Sequence, residues 1–255
     1  MSGAGHERGG DVSTGAAAAL VVVHPTAEIL AVLTAARLLA ALADAQAARG
    51  TASVVLTGGG IGTRVLAEVA ASPARSAVDW ARVDVWWGDE RFVPRDDPER
   101  NELQATEALL SVVDVDPARV HAVPAAGEVA TVEDAAAAYA AVFGPADPPD
   151  VLLLGVGPEG HVGSIFPDSP AVREGERLVV GVHGCPKPPP VRVTLTLPAM
   201  ARAREAWVVV SGGDKAAAMA AAAGGAMPQA VPVAGVRATH RTLWLLDLAA
   251  AAQLP

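Results

Sequence analysis

The residues that could do chemistry in this chain fall in four short clusters, each directly after an apolar run. The sharpest is Gly155-Val-Gly-Pro-Glu-Gly-His161. Its glycines free the backbone for close approach. His161 supplies an imidazole, which titrates near neutrality and can take a proton from water. The alternative is a structural histidine, the commoner role of a lone one. Thr57-Gly-Gly-Gly60, between a strand and a helix pattern, is a natural anion cradle of free N–H groups at a helix N-terminus. It lacks the Gly-Lys-Ser/Thr ending of a nucleotide P-loop, and a ligand-free tight turn is the alternative. Gly88-Asp-Glu-Arg91 sets two carboxylates beside a guanidinium suited to bidentate phosphate recognition. Its alternative is a solvated turn with a surface ion pair. Ser211-Gly-Gly-Asp-Lys215 ends in a lysine that could reach an anion or simply be exposed. Arg192 lies inside a strand pattern, where an inward charge needs a partner or a ligand.

Gly155 to Gly160 also matches the G-x-G-x-x-G dinucleotide fingerprint. Glu159 would face a pyrophosphate with the wrong charge, and only six residues separate Gly160 from Pro167, too few for the long helix that motif requires. No nicotinamide or flavin is therefore expected. Ser164 lacks a nucleophile elbow. His6, His24, His121, His183 and His240 read as structural or surface residues.

The elements that must position these clusters alternate. Apolar runs at Leu20–Val23, Ser53–Leu56, Val83–Trp87, Val151–Leu154, Trp207–Val210 and Leu243–Leu246 read as strands. The first is taken as buried, and His121–Val123 as a short additional strand. Helical patterns span 27–48, 61–71, 101–112, 132–143 and 214–223, with a short helix opening at Pro198. Strands alternating with helices of this length predict an α/β, Rossmann-like, doubly wound, mostly parallel sheet covered on both faces. Segments 178–182 and 191–197, separated by Gly184-Cys-Pro-Lys-Pro-Pro-Pro190, predict a small antiparallel part at one side of that sheet. In a parallel sheet the four clusters share one edge, where such folds bind ligands.

Composition narrows the function. With 255 residues, 51% hydrophobic and 18% charged, the chain can build a large core. Residues 1–17, rich in Gly and Ser, are expected to be a flexible tail before one domain over 18–255. A formal net charge of −9 argues against nucleic acid. The longest uncharged stretch, 216–236, holds Gly224-Gly225, Pro228 and Pro232 and cannot be one membrane span. The single Cys185 excludes an intrachain disulfide and makes a reducing cytoplasm the default; no structural zinc site is expected.

Taken together, Leu56-Thr-Gly-Gly-Gly60, Trp87-Gly-Asp-Glu-Arg-Phe-Val-Pro94 with Asn101, Leu154 to Pro167, Arg192-Val-Thr-Leu-Thr-Leu-Pro198 and Ser211 to Lys215 resemble the 6-phosphogluconolactonase family over nearly the whole chain. The resemblance implies hydrolysis of a phosphorylated sugar lactone, 6-phospho-D-glucono-1,5-lactone, with no cofactor and no metal. A monomer or weak homo-oligomer is expected. The resemblance also implies His161 as the base that activates water. It implies Arg91 and Lys215 as phosphate ligands together with Thr57, Gly58, Gly59 and Gly60, and Asp89, Arg192 and Glu159 lining the pocket, Glu159 on the catalytic side. Glu159 stands where that family usually has Asp. Glucosamine-6-phosphate deaminase is similar over the same loops, but it carries a glutamate shortly after the histidine where this chain has Phe166. A sugar-phosphate sensor without catalysis is the non-enzymatic rival, and no DNA-binding element is evident.

Overall fold

A computed structural model of the chain describes residues 19–255; the expected tail, 1–17, lies outside the described residues. Nine strands and six α-helices follow in order: β1 Leu20–His24, α1 Ala27–Arg49, β2 Ala52–Leu56, α2 Gly59–Ala71, β3 Val83–Trp87, β4 Asp89–Arg91, α3 Asn101–Ala108, α4 Val132–Phe143, β5 Val151–Gly155, β6 Val179–Val182, β7 Arg192–Leu195, α5 Leu197–Met200, β8 Glu205–Val210, α6 Ala216–Ala223 and β9 Arg241–Asp247.

Six strands form a parallel sheet in the order β1-β9-β8-β5-β2-β3. The apolar runs are continuous because the central strands are buried on both faces. Val54, Leu56, Val85, Trp87, Leu153 and Trp207 point into the core shared with α1 and α2. Their neighbours Val55, Trp86, Leu152, Leu154 and Val208 point into the core under α4 and α6. Local chemistry sets the helix ends. Thr26 Oγ accepts the N–H of Ile29 at 3.3 Å to start α1, and Gly50, at φ 81°, ends it. Thr131 and Asp134 form a reciprocal capping box on α4.

Three expectations need correction. The first strand is not buried: β1 is an edge, and Leu20, Val21 and Val23 are exposed. The antiparallel pair is not at one side of the parallel sheet. It belongs to a separate three-stranded sheet, β4-β7-β6, whose third member, Asp89–Arg91, is too short to stand out from the polar loop after β3. Residues 121–123 do not form a strand. Val120 makes one bridge to Val85, Arg119 and His121 spend their side chains on Asp84, and Pro124 has no N–H with which to extend a ladder.

The second sheet is what completes the functional edge. Gly88 turns the chain out of β3, and β4 then pairs with β7, Asp89 facing Thr194 and Arg91 facing Arg192. The turn is held by Glu90, almost fully buried. Its carboxylate accepts the N–H groups of Arg91 at 2.8 Å, Asn101 at 2.7 Å and Glu102 at 2.8 Å, and lies 3.8 Å from the buried Arg100 guanidinium. Burial pushes Glu90 up to about 6 against the pull of Arg100 and those donors. One acid thus caps α3 and fixes the strand that carries Asp89 and Arg91.

Candidate active site

All four strand-end clusters meet in one cleft of about 520 Å³ at the carboxyl edge of the parallel sheet. Thr57, Gly58, Gly59, Gly60, Asp89, Arg91, His161, Arg192 and Lys215 line it; Glu159 does not.

The Gly-rich turn after β2 opens α2, whose first N–H groups have no side-chain cap. They are donors left for a ligand. Thr57 does more than line the wall, because its hydroxyl accepts the N–H of Gly155 at 3.2 Å and ties this loop to the one carrying His161. Gly58 has to be glycine: a Cβ there would sit 1.9 Å from Oδ1 of Asn101. Asn101 donates from Nδ2 to the carbonyl of Asp89 at 2.8 Å.

Arg91 and Lys215 supply local positive charge on an acidic protein. Arg91 donates through Nη1 to the carbonyl of Glu99, while its buried Nε has no hydrogen-bond partner and is available to a ligand. Lys215 stands just before α6 and pairs with Asp214 at 2.8 Å. Asp247 holds the Ser211–Gly213 loop from below, accepting the Gly212 N–H at 3.1 Å.

Asp89 is buried and already engaged. Ser164 donates to its Oδ2 at 2.7 Å and Asn101 to its Oδ1 at 3.3 Å. Ser164, set aside as a nucleophile on its sequence context, thus serves to orient this carboxylate. Arg192 is buried too, its Nη1 4.0 Å from Asp89 and its other donors turned to backbone carbonyls at 187–189.

His161 sits beyond the β5 turn, the N–H of Gly157 donating to its carbonyl at 3.0 Å. Its ring lies 4.5 Å from that of Phe166. Nδ1 is buried and 3.0 Å from Oε1 of Glu159, but off the axis of an aligned hydrogen bond, so the contact is electrostatic. That leaves Nε2 as the nitrogen able to exchange a proton. Burial lowers the imidazole below its ordinary value, and Lys187 adds to this. Glu159 and Asp89 pull the other way without overcoming it. The ring is therefore neutral, and able to accept a proton, at neutral pH. Burial pushes Glu159 up, but its own backbone hydrogen bond, His161 and Lys187 outweigh that and hold it below the usual carboxylate value. Glu159 is an ionised group one layer behind the histidine.

Sequence reasoning missed Lys187, Arg64 and Asn101 as cleft residues. Arg64 sits on a helix face with no local motif, and Asn101, the first residue of α3, belongs to the Trp87–Pro94 match without a role of its own in it. Lys187 had a signal in its run of flanking prolines, which restricts the backbone and presents the side chain from a stiff loop. Among the described residues no cluster of three or more His, Cys, Asp or Glu could hold a metal, and no helix is long and apolar enough to cross a membrane.

A parallel α/β sheet with free helix N–H groups and one ionisable imidazole on the same edge defines a cleft able to hold an anionic ligand beside a proton acceptor. The comparisons narrow this further. The model of the glucosamine-6-phosphate isomerases/6-phosphogluconolactonase family matches residues 25–244. The chain is 56% identical over 246 residues to the 6-phosphogluconolactonase of Streptomyces coelicolor, covering 92% of this chain and 94% of that one. It is 50% identical over 244 residues to that of Mycobacterium tuberculosis, covering 92% and 98%. It superposes on the solved 6-phosphogluconolactonase of Thermotoga maritima with a TM-score of 0.79 at 23% identity, covering 90% and 100%. A monomeric glucosamine-6-phosphate deaminase matches equally well, TM-score 0.79 at 18% identity, covering 92% and 99%, which shows that the fold is shared by both activities. The chain belongs to the glucosamine-6-phosphate isomerase/6-phosphogluconolactonase family.

Proposed function

We propose that this protein hydrolyses 6-phospho-D-glucono-1,5-lactone to 6-phospho-D-gluconate. The observation that carries the proposal is the single cleft in which a neutral, carboxylate-backed imidazole faces an anion cradle. High identity to curated lactonases over most of both chains supports the substrate assignment. A lactone is an activated ester, so one base to deliver water and one site for the developing oxyanion suffice. The remaining task is to hold the substrate. Phosphate bound by the α2 N-terminus, Arg91 and Lys215 uses remote binding energy to place the carbonyl over His161. Phe166, packed on the imidazole, puts an apolar ring where the deaminase reaction would call for an acid.

The test is direct. Lactone generated enzymatically from glucose 6-phosphate is followed by proton release. Turnover well above the spontaneous rate is expected, whereas glucosamine 6-phosphate should yield no ammonia. A rate equal to spontaneous hydrolysis removes the proposal.

Two variants separate binding from chemistry. Arg91→Ala should raise KM about 10–100-fold with kcat within a few-fold, because a charge-assisted contact to phosphate made equally in ground and transition states is lost. A drop in kcat at unchanged KM would move Arg91 out of the phosphate site. Glu159→Gln should shift the acid limb of kcat/KM to lower pH. Removing the carboxylate takes away the group that raises the His161 pKa, so the imidazole stays neutral further into acid. The same change makes the imidazole a weaker base, and kcat on the plateau should fall about tenfold. An acid limb that stays in place would show that Glu159 does not act on His161.

A further inference from the structure

We propose that Lys187 is the cation that receives the negative charge developing on the lactone carbonyl, and that Arg192 is the positioning residue that presents it. The inference rests on the lactonase reading above, which assigns neither role.

Four cationic side chains line the cleft besides Arg192, and they are not equivalent. Arg64 pairs with Glu28 at 2.8 Å, Lys215 with Asp214 at 2.8 Å, and Arg91 is bonded to the Glu99 backbone. Lys187 alone joins the catalytic pair. Its Nζ lies 3.5 Å from Oε2 of Glu159, whose Oε1 is 3.0 Å from Nδ1 of His161. Among the described residues no other Lys or Arg pairs with Glu159. The carbonyl under attack must lie within reach of a water on Nε2 of His161. Lys187 contacts Glu159 on the Nδ1 side of the ring, yet it is the one of the four that both lines the cleft and acts electrostatically on that imidazole, so its ammonium is the cation available to the carbonyl oxygen.

Arg192 explains why a lysine on a surface loop can serve in this way. The loop between β6 and β7 is closed by the Cys185 N–H donating to the Pro190 carbonyl at 2.9 Å. Inside it, Arg192 donates from Nε to the Pro189 carbonyl at 3.0 Å, and from Nη2 to the carbonyls of Lys187 at 3.0 Å and Pro188 at 3.2 Å. Arg192 is only 5% exposed, and these contacts occupy Nε and Nη2, leaving Nη1, which lies 4.0 Å from Asp89. Its fork clamps a proline-fenced backbone with Lys187 at the tip. Preorganised charge of this kind costs no rearrangement as the reaction proceeds.

The step balances without a co-reactant. Water oxygen bonds to the carbonyl carbon as its proton passes to Nε2 of His161. The carbonyl π pair moves onto oxygen, opposite the Lys187 ammonium. When the pair returns, the bond from carbon to ring oxygen breaks, and the ring oxygen takes the proton from Nε2. The carboxylic acid formed then ionises, releasing one proton to solvent, and its carboxylate faces Lys187.

The test uses the full chain and the lactone assay. Lys187→Met should lower kcat about 10²-fold or more with KM within about threefold, the pattern of a contact made in the transition state. The groups facing His161 are Glu159, Asp89 and Lys187. Removing the cation raises the imidazole pKa, so the acid limb should move to higher pH. Lys187→Arg should recover about tenfold of the lost kcat. Arg192→Met should lower kcat comparably, and Arg192→Met with Lys187→Met should be no worse than Lys187→Met alone, because one acts through the other. If Arg192→Met does not fold, as judged by Tm, Arg192→Lys takes its place in the cycle. A Lys187→Met enzyme with near-native kcat, or one with raised KM and unchanged kcat, overturns the assignment, as do additive losses in the cycle. A wild-type rate equal to spontaneous hydrolysis is a different result, seen before any variant is made, and it removes the lactonase reading itself.

Discussion

Replacement of His161 by alanine is expected to lower kcat for lactone hydrolysis about 10²–10⁴-fold, the usual contribution of a positioned general base, while binding of 6-phosphogluconate stays within about threefold. The separation follows from the layout of the cleft. The donors assigned to the phosphate come from the α2 N-terminus, β4 and the loop before α6, and none of their hydrogen bonds passes through the imidazole. The base comes from the loop after β5. In the wild type, burial keeps the His161 pKa below its ordinary 6.5 despite Glu159 and Asp89, so kcat/KM should be on a plateau at neutral pH. It should fall through an acid limb centred below that value, and the limb should vanish in His161→Ala. Product affinity by calorimetry and the pH profile of kcat/KM are the two measurements. Full turnover in the variant would leave Nε2 without a role. Loss of product binding together with turnover would show that the histidine holds the sugar rather than the water.

The parts of this arrangement that could be read from residues alone are those set by local pattern and topology. Apolar runs followed at once by Gly-rich turns mark the carboxyl ends of parallel strands, and a parallel sheet has to gather those ends on one edge. Thr57–Gly60, Gly88–Arg91, Gly157–His161 and Ser211–Lys215 meet in the cleft for that reason. What escaped depends on contacts far apart in sequence. Strand β4 is three residues long and exists because β7, about a hundred residues later, pairs with it. Arg192 read as an inward charge needing a partner or a ligand, and the partners are carbonyls three to five residues back, on a loop whose folding over it no local pattern marks. Glu159 was expected on the pocket wall. The tight Gly157–Gly160 turn, closed by the Gly160 N–H donating to the Gly157 carbonyl at 2.9 Å, sets it behind the imidazole.

The same turn makes the second large prediction. Gly157→Ala should lower kcat about 10²-fold with little change in KM, although alanine is the smallest possible addition. The backbone is not the obstacle, since Gly157, unlike Gly160 at φ 85°, does not occupy the left-handed region. The obstacle is the imidazole. A Cβ at Gly157 would lie 2.0 Å from Cε1 and 2.1 Å from Nδ1 of His161, well inside van der Waals contact, so the ring must retreat by roughly an ångström or more. It has no slack. Phe166 packs at 4.5 Å, and Glu159 holds Nδ1 at 3.0 Å. Any retreat breaks the contact with Glu159 and carries Nε2 off the line of attack, and a displacement of about 1 Å at a reacting group costs on the order of 10²-fold. Overpacking should also lower stability by about 1–3 kcal/mol. Gly160→Ala is the informative contrast. It is strained by its positive φ and would meet Val231 at 2.6 Å, so it should lower Tm with a smaller effect on kcat at temperatures where it stays folded. In a Gly157→Ala/His161→Ala pair the two losses should not add, because with the imidazole gone the methyl group has nothing to displace. Additive losses, or a Gly157→Ala enzyme with native kcat, would mean that the close approach of this turn to the ring is incidental to catalysis.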